Sequence, residues 1–338
     1  MTSNTGWRIL ITNPVLVATR AALEQSAMVT IAPDQSAETL RKAVGDADVI
    51  IVRTHLPADI FDNAPRVLGA VRHGVGLDFI PVDAATAKGI VVANVPGGNA
   101  NSVAEYCVMQ MMNLLRRPDR ADSLMRAVGW EKARTETVRG REICGRVVGI
   151  IGFGAIGSRL AQILHYGFQV DVVVCTRRPE LLPQWARPVL IDALVSEADF
   201  VVPCVPYTKD THHYLSAELI SCLKPTAYVV NASRGSVIDE LALLKALEER
   251  TIAGAALDVF EDKSPQPGHP VTRVKNLMIT PHIAGNTVDA HTRIGMQCAS
   301  EAIRILNGQQ PQNFVNPEVW DRHQARRKEL GGTRNLRH

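Results

Sequence analysis

Three glycines and a following pair of arginines are the residues whose spacing most directly indicates chemistry. Gly152, Gly154 and Gly157 form a GxGxxG pattern directly after the apolar run VVGII and directly before SRLAQILHY. In such a pattern the first glycine allows a tight turn, the second lets the backbone approach a pyrophosphate, and the third permits close helix packing. A helix N-terminus also favours an anion. The stretch therefore predicts dinucleotide binding, and a turn that serves packing alone is the alternative.

The residues about twenty positions beyond this turn indicate which dinucleotide to expect. A carboxylate there would hydrogen-bond the 2′-hydroxyl of the ribose, but this chain has Thr176, Arg177 and Arg178. Because a guanidinium matches a phosphate through two hydrogen bonds, the sequence favours NADP(H), and NAD(H) stays a possibility. The alternative is two solvated arginines beside a site that accepts either cofactor.

Alternating apolar and helical segments must position this turn. Short β-branched runs such as WRILIT, DVIIV and GIVVA alternate with helical segments over the first hundred residues, and residues 146–280 repeat the pattern with stronger runs. This alternation predicts two α/β units with parallel sheets and crossover helices. A long helix is expected over 101–117, with Asn101 and Ser102 as candidate caps. A later helix, DAHTRIGMQCASEAIRILNG, could carry the chain back to the first unit.

Length and composition exclude several classes of protein. The chain has 338 residues, enough for two domains, with 46% hydrophobic and 21% charged residues and a formal net charge of +3. We expect no nucleic-acid partner, because the basic excess is slight and lies partly in the tail RHQARRKELGGTRNLRH, which is weak grounds for such binding. We also expect no membrane span and no secretory signal. The six scattered cysteines fit neither a disulfide framework nor a zinc site, so we expect no metal and a cytoplasmic location.

Six motifs in a fixed order give the chain a specific resemblance. They are RHGVGLDFIPVDAATAKGI, NVPGGNANSVAEY, GIIGFGAIGSRLA, NASRGSVIDE, GAALDVFED and TPHIAGNT. From about Val71 to Pro317 the chain resembles the D-isomer-specific 2-hydroxyacid dehydrogenases. The resemblance implies an α/β protein of two Rossmann-like doubly wound domains with an interdomain cleft. Residues 1–100 and 288–338 would form a flavodoxin-like substrate domain, and residues 101–287 an NAD(P)-binding Rossmann domain.

The resemblance also assigns roles to individual residues. Arg234 would bind the substrate carboxylate and polarise the 2-oxo group, and His282 would be the acid/base that exchanges a proton with the substrate oxygen. Asp258 would contact the nicotinamide amide. Further substrate contacts would come from Arg53, Asn99 and the backbone N–H groups of Val75 and Gly76. The remaining expected cofactor contacts are Gly152, Gly154, Ala155, Ile156, Gly157, Thr176, Arg177, Arg178, Pro206 and Ala232.

One position departs from the family pattern. The family typically has a glutamate five residues after the aspartate, where it hydrogen-bonds the histidine, but this chain has Lys263. A lysine there would favour the neutral form of His282 by like-charge repulsion. Three explanations are open: Glu261 or Asp262 takes the role, Lys263 itself serves a substrate anion or proton transfer, or the enzyme is catalytically weak. We favour the first.

The function that follows is reversible hydride transfer between NADP(H) and a small 2-oxoacid or D-2-hydroxyacid, with glyoxylate and hydroxypyruvate as the first expected acids. One alternative is a cofactor-binding protein with weak or absent catalysis, similar to the corepressors related to this family. Another is a dehydrogenase of an unusual acid, such as a phosphonate or a formate-like acid. The resemblance further implies a homodimer.

Overall fold

The computed structural model describes residues 6–137, 140–262 and 264–332, and the chain divides into two units. The first unit comprises residues 1–99 and 288–338, and the second comprises residues 100–287. These bounds differ by one residue from the expected 1–100 and 101–287. The assignment of substrate binding to the first unit and cofactor binding to the second stays a prediction.

Both units are built on parallel strands that are short, apolar and mostly buried. The strands are β1 (Arg8–Ile11), β2 (Met28–Ile31), β3 (Val49–Val52), β4 (Gly69–Arg72), β5 (Val91–Ala93), β6 (Val147–Ile151), β7 (Asp171–Cys175), β8 (Ala186–Pro188), β9 (Phe200–Pro203), β10 (Tyr228–Asn231), β11 (Gly254–Leu257) and β12 (Leu277–Ile279). Strands covered by helices on both faces read as continuous Val- and Ile-rich runs, as VIIV in β3 does.

The helices connect and cover these strands. They are α1 (Val17–Glu24), α2 (Ala37–Ala43), α3 (Val82–Ala87), α4 (Ala100–Arg116), α5 (Pro118–Val128), α6 (Trp130–Glu136), α7 (Ala155–Phe168), α8 (Ile191–Glu197), α9 (Ala217–Ser221), α10 (Glu240–Glu248), α11 (Val288–Leu306) and α12 (Trp320–Gly332). Helix α4 begins at Ala100, so Asn101 and Ser102 lie inside its first turn and the prediction that they cap it was wrong.

The first unit contains a five-stranded sheet in the order β2-β1-β3-β4-β5, which is the flavodoxin-like order. All of its strand pairs are parallel. Helix α11 returns the chain to this sheet, because its buried Ile294, Cys298 and Ile305 share one core with Ile9 and Val49 of the strands. The expected return of the chain is therefore confirmed.

The second unit contains a seven-stranded sheet in the order β12-β11-β10-β9-β6-β7-β8. Its strand pairs are parallel too, so the carboxyl ends of all seven strands lie at one edge. The order reverses between β6 and β9, and ligands of open α/β sheets bind at the carboxyl edge beside such a reversal. The predicted α/β fold with two doubly wound sheets is confirmed.

Membrane-spanning helices and metal-binding clusters are both missing from the described part of the chain. None of the described helices is both long enough and apolar enough to cross a bilayer. Among the same residues, no group of three or more His, Cys, Asp or Glu side chains is placed to hold a metal ion. All six cysteines carry free thiols.

Candidate active site

The turn after β6 has the backbone geometry that a pyrophosphate-binding loop requires. Gly152 adopts a left-handed φ of +96°, and its N–H donates to the carbonyl of Cys175 at the end of β7 (2.8 Å). A methyl group on Gly157 would lie 2.2 Å from the carbonyl oxygen of Gly152, so only glycine lets α7 approach this closely. A methyl group on Gly154 would meet no described atom within 4 Å. There is therefore space beside the turn for a ligand.

The first turn of α7 directs open N–H groups toward that space. The helix follows Gly154, which provides no capping side chain, and the first intrahelical bond runs from the Ser158 N–H to the Gly154 carbonyl (2.9 Å). The N–H groups of Ala155, Ile156 and Gly157 precede this bond and have no acceptor within the helix. Together with the helix dipole they favour an anion. The residues present thus fit the pyrophosphate of a dinucleotide.

The loop after β7 carries the predicted phosphate-binding residues. Thr176 is half-buried and accepts the backbone N–H of Arg178 on its hydroxyl (3.3 Å). The side chains of Arg177 and Arg178 are exposed, and neither guanidinium forms an ion pair with a carboxylate of the described residues. Two cations are therefore available at the end of the strand adjacent to the glycine turn.

Two further predicted cofactor residues lie at the same sheet edge. Pro206 is exposed after β9, and its carbonyl accepts the hydroxyl of Thr211 (2.7 Å). The end of β9 packs against the glycine turn, since a methyl group on Gly152 would lie 2.7 Å from Val205. Ala232 follows β10 and is half-buried. The structure thus brings the glycine turn and the end of β9 together.

Arg234 stands on a turn that is held by a buried asparagine. The side chain of Asn231, which is 1% exposed, accepts the Ser233 N–H (3.0 Å) and donates to the Arg234 carbonyl (3.0 Å). The Arg234 guanidinium donates to the Ser233 carbonyl (2.8 Å). A methyl group on Gly235 would lie 1.9 Å from the carbonyl carbon of Phe260. The turn is consequently pressed against the segment that follows β11.

Asp258 is buried and organises the loop after β12. The residue is only 1% exposed to solvent. One carboxylate oxygen accepts the hydroxyl of Thr280 (2.5 Å) and the N–H of Ile283 (2.8 Å), and the other accepts the N–H of Ala284 (2.8 Å). Three donors compensate the desolvation of this carboxylate. The predicted contact of Asp258 with the nicotinamide amide stays a prediction beside this observed structural role.

His282 lies in that loop with its side chain exposed. Its φ of +56° is a left-handed conformation that is uncommon for a residue other than glycine. Its N–H donates to the carbonyls of Asp258 (2.9 Å) and Thr280 (3.1 Å), and the Asp258 N–H donates to the Asn231 carbonyl (2.9 Å). The backbones that carry Arg234 and His282 are therefore joined through Asp258.

The expected substitute for the missing glutamate is engaged elsewhere. Glu261 Oε1 lies 2.5 Å from His213 Nε2, and Asp262 accepts the backbone N–H of Ser264 (3.2 Å). Lys263 lies outside the described residues. Whether Glu261 assists catalysis stays a prediction, and its structural partner is His213.

In the first unit, the turn after β4 contains two N–H groups that make no hydrogen bond within the described chain. Val75 is exposed and Gly76 is half-buried, and neither backbone N–H has a hydrogen-bond acceptor among the described residues. The turn is held open by Gly74, whose φ is +141°, and by Arg72, which donates to the Gly76 carbonyl (3.1 Å). Adjacent free N–H groups are suited to a carboxylate.

Arg53 and Asn99 of the first unit each have an unmatched polar group. Arg53 is half-buried, and no described carboxylate lies within ion-pair distance of its guanidinium, whose pKa is lowered by burial. The adjacent His73 is kept neutral, because burial and the charge of Arg53 lower its pKa to about 3. The side-chain oxygen of Asn99 is buried without a hydrogen-bond partner in the described chain. Both side chains therefore retain hydrogen-bonding capacity that the described chain does not use, and their predicted contact with substrate stays a prediction.

Three side chains that shape these loops escaped sequence reasoning. Asn231 could have been found, because an asparagine two residues before Ser233 is a pattern of side-chain-stabilised turns. Thr280 and His213 have no comparable local signal. Their partners lie 22 and 48 residues away in the chain.

Comparisons with known proteins agree with this geometry. Residues 108–284 match the family model described as the NAD-binding domain of D-isomer-specific 2-hydroxyacid dehydrogenases. The chain is 35% identical over 295 residues to the glyoxylate reductase of Thermofilum pendens, which covers 84% of this chain and 86% of that protein. It is 33% identical over 315 residues to the D-3-phosphoglycerate dehydrogenase of Methanocaldococcus jannaschii, covering 91% of this chain and 59% of that longer protein.

A solved structure of similar architecture comes from Sinorhizobium meliloti. It is an NADPH-dependent glyoxylate/hydroxypyruvate reductase in complex with citrate, and it aligns with a TM-score of 0.83 at 27% identity. The alignment covers 92% of this chain and 99% of that one. The same reductase is also known in complex with NADP and malonate.

Proposed function

The chain belongs to the D-isomer-specific 2-hydroxyacid dehydrogenase family, and we propose that it catalyses reversible reduction of a small 2-oxoacid to the D-2-hydroxyacid with NADP(H). It is an oxidoreductase that uses a nicotinamide cofactor. Glyoxylate and hydroxypyruvate are the proposed acids, because relatives of similar sequence and structure carry those names.

The observation that supports the proposal most is the linkage of Arg234 and His282 through Asp258 at the carboxyl edge that also carries the glycine turn. An anion-binding guanidinium and a proton-exchanging imidazole are the two groups that reduction of a 2-oxoacid requires. When bound, the cofactor supplies the hydride that converts the carbonyl carbon to an alcohol.

The protein residues would then act on the two oxygen-bearing groups of the substrate. Arg234 binds the carboxylate and polarises the neighbouring carbonyl, because its charge is permanent and its fork fits two oxygens. His282 donates a proton to the carbonyl oxygen in reduction and accepts it back in oxidation. The N–H groups of Val75 and Gly76 are proposed as further donors to the carboxylate, with Arg53 and Asn99 as additional substrate contacts.

The proposal is tested by initial rates of NADPH and NADH oxidation with a panel of 2-oxoacids across pH. We expect turnover with glyoxylate or hydroxypyruvate and a higher kcat/KM with NADPH. Absence of turnover with every acid, together with tight NADPH binding by calorimetry, would refute the reductase and favour a cofactor-binding protein. Reduction of NADP⁺ or NAD⁺ by a phosphonate or formate, measured in a separate assay, without turnover of any 2-oxoacid would favour a dehydrogenase of an unusual acid.

The proposed NADP(H) preference predicts a specific loss when Arg177 and Arg178 are replaced by alanine together. A hydrogen bond to a charged group contributes about 1.5–3 kcal/mol, so KM for NADPH should rise by roughly 10- to 100-fold for each contact removed. KM for NADH should change little, because NADH has no 2′-phosphate. Arg187→Ala is the control, since Arg187 is an exposed arginine paired with Glu197. Equal changes in both KM values would contradict the assignment.

We also propose that the protein is a homodimer that uses helices α4 to α6. All residues of α5 belong to the described part of the chain, and none of them is buried. The apolar side chains of Met125 in α5 and Trp130 in α6 are 44% and 60% exposed. Exposed apolar side chains in one region are typical of an interface. Light scattering at micromolar concentration should give a molar mass of about twice the chain mass of 36.8 kDa. The substitution Trp130→Glu should lower this measured mass. A monomeric wild-type protein would contradict the proposal.

A further inference from the structure

Helix α4 contacts the segment that carries His282 through two pairs of hydroxyl groups. The phenol oxygen of Tyr106 lies 2.5 Å from Thr280 Oγ1, just before His282. The hydroxyl of Ser102 lies 2.8 Å from that of Thr287, after His282. The two contacts lie one helical turn apart on α4 and bracket the loop at both ends.

The direction of the hydrogen bonds follows from the number of available protons. Thr280 Oγ1 donates its single hydrogen to Asp258 Oδ1, so it can only accept from Tyr106. Tyr106 is 7% exposed, and burial raises its pKa to about 12. The phenol therefore keeps its proton at any pH of interest, and the chain runs from Tyr106 through Thr280 to Asp258.

Asp258 is the point at which this chain meets the backbone of the loop. Its carboxylate accepts the N–H groups of Ile283 and Ala284, and its carbonyl accepts the N–H of His282. A left-handed φ at a histidine persists only where the surroundings hold it. The buried hydroxyl–carboxylate chain supplies such a constraint, since hydrogen bonds in series strengthen one another at low dielectric.

We propose that Tyr106 is a positioning residue for the reaction, which sets the orientation of His282 through Thr280 and Asp258 without touching substrate or cofactor. The inference rests on the proposed role of His282 as the acid/base. It adds a residue of α4 to the groups on which the rate depends.

The test is Tyr106→Phe, which removes one hydroxyl and keeps the volume of the buried ring. A displacement of about 1 Å at a catalytic group can reduce the rate about 100-fold, so we expect kcat to fall roughly 10- to 100-fold with KM for NADPH unchanged. Tyr166→Phe is the matched control, because Tyr166 also lies on a helix of the second unit but is 72% exposed. It should leave kcat unchanged.

A second pair of variants separates positioning from folding. Thr280→Ser retains the hydroxyl and should keep wild-type kcat, whereas Thr280→Val removes it and should lower kcat as Tyr106→Phe does. If the chain acts as one unit, the Tyr106→Phe/Thr280→Val double variant should lose less than the product of the two single losses. Equal kcat in Thr280→Ser and Thr280→Val, or in Tyr106→Phe and the wild type, would overturn the proposal.

An NMR measurement tests the positioning role of Tyr106 without relying on turnover. The imidazole Cε1–H signal of His282, assigned as the signal lost in His282→Asn, should shift in Tyr106→Phe and stay in place in Tyr166→Phe. An unshifted signal would overturn the positioning role even if the protein reduces 2-oxoacids. A shifted signal in a protein that reduces none would support the positioning of His282 while the proposed function fails.

Discussion

Replacing His282 with asparagine should lower kcat for 2-oxoacid reduction by about 10²- to 10⁴-fold, the usual contribution of a general acid–base. Asparagine retains a polar amide but cannot exchange a proton near neutral pH. It also tolerates the left-handed region better than most residues, so the loop with φ +56° should persist. KM for NADPH should change little, and steady-state kinetics checks both parameters.

His213 offers the matched control for this substitution. It is a second histidine of the same unit with a left-handed φ, +47°, and its imidazole contacts Glu261. His213→Asn therefore imposes the same chemical change on a similar backbone, and its loss of activity should be far smaller than that of His282→Asn. Comparable losses in the two variants would show that His282 has no special role in proton transfer.

Among the substitutions proposed, Gly235→Ala should lower the free energy of unfolding the most. The added methyl carbon would lie 1.9 Å from the carbonyl carbon of Phe260 and 2.0 Å from its oxygen. No rotamer can relieve an overlap with backbone, so the Arg234 turn and the segment after β11 must separate. We expect a loss above about 3 kcal/mol, beyond the usual range for overpacking, and a thermal midpoint lower by about 6–12 °C or more.

Gly167→Ala is the contrasting substitution. Gly167 lies exposed in α7, where a methyl group would meet no described atom within 4 Å. Alanine is the better helix former by up to about 1 kcal/mol, so this variant should be as stable as the wild type or more so. Thermal unfolding of both variants gives the comparison, and a destabilised Gly167→Ala with an unaffected Gly235→Ala would contradict the packing argument.

The sheets could be predicted from sequence because their signals are local. Continuous apolar runs marked every strand except β8, whose residues Ala186–Pro188 contain a charge and a proline and form the outer edge of the sheet. The glycine turn could be predicted equally well, since strand, turn and helix follow one another directly in the chain. Helix α4 was found, but its start was misplaced because Asn101 and Ser102 resemble caps while their side chains make other contacts.

The polar groups around His282 could not be predicted, because they depend on distant pairings. Asp258 receives its three donors from residues 22 to 26 positions away, and the contact between Tyr106 and Thr280 spans 174 positions. A single sequence shows which residues can form hydrogen bonds but not which of them the sheet edge assembles.

The exposed loop after β7 has a consequence for how such a protein can change over evolutionary time. Arg177 and Arg178 contribute nothing to the core. The bonds that shape the loop, from the Arg178 N–H to the Thr176 hydroxyl and from the Leu181 N–H to the Arg178 carbonyl, do not involve the arginine side chains. Mutations at these two positions therefore carry little penalty in folding. Under the proposed assignment of these arginines to the 2′-phosphate, a lineage or an engineer could change the preferred hydride donor there while the residues around Arg234 and His282 are inherited unchanged.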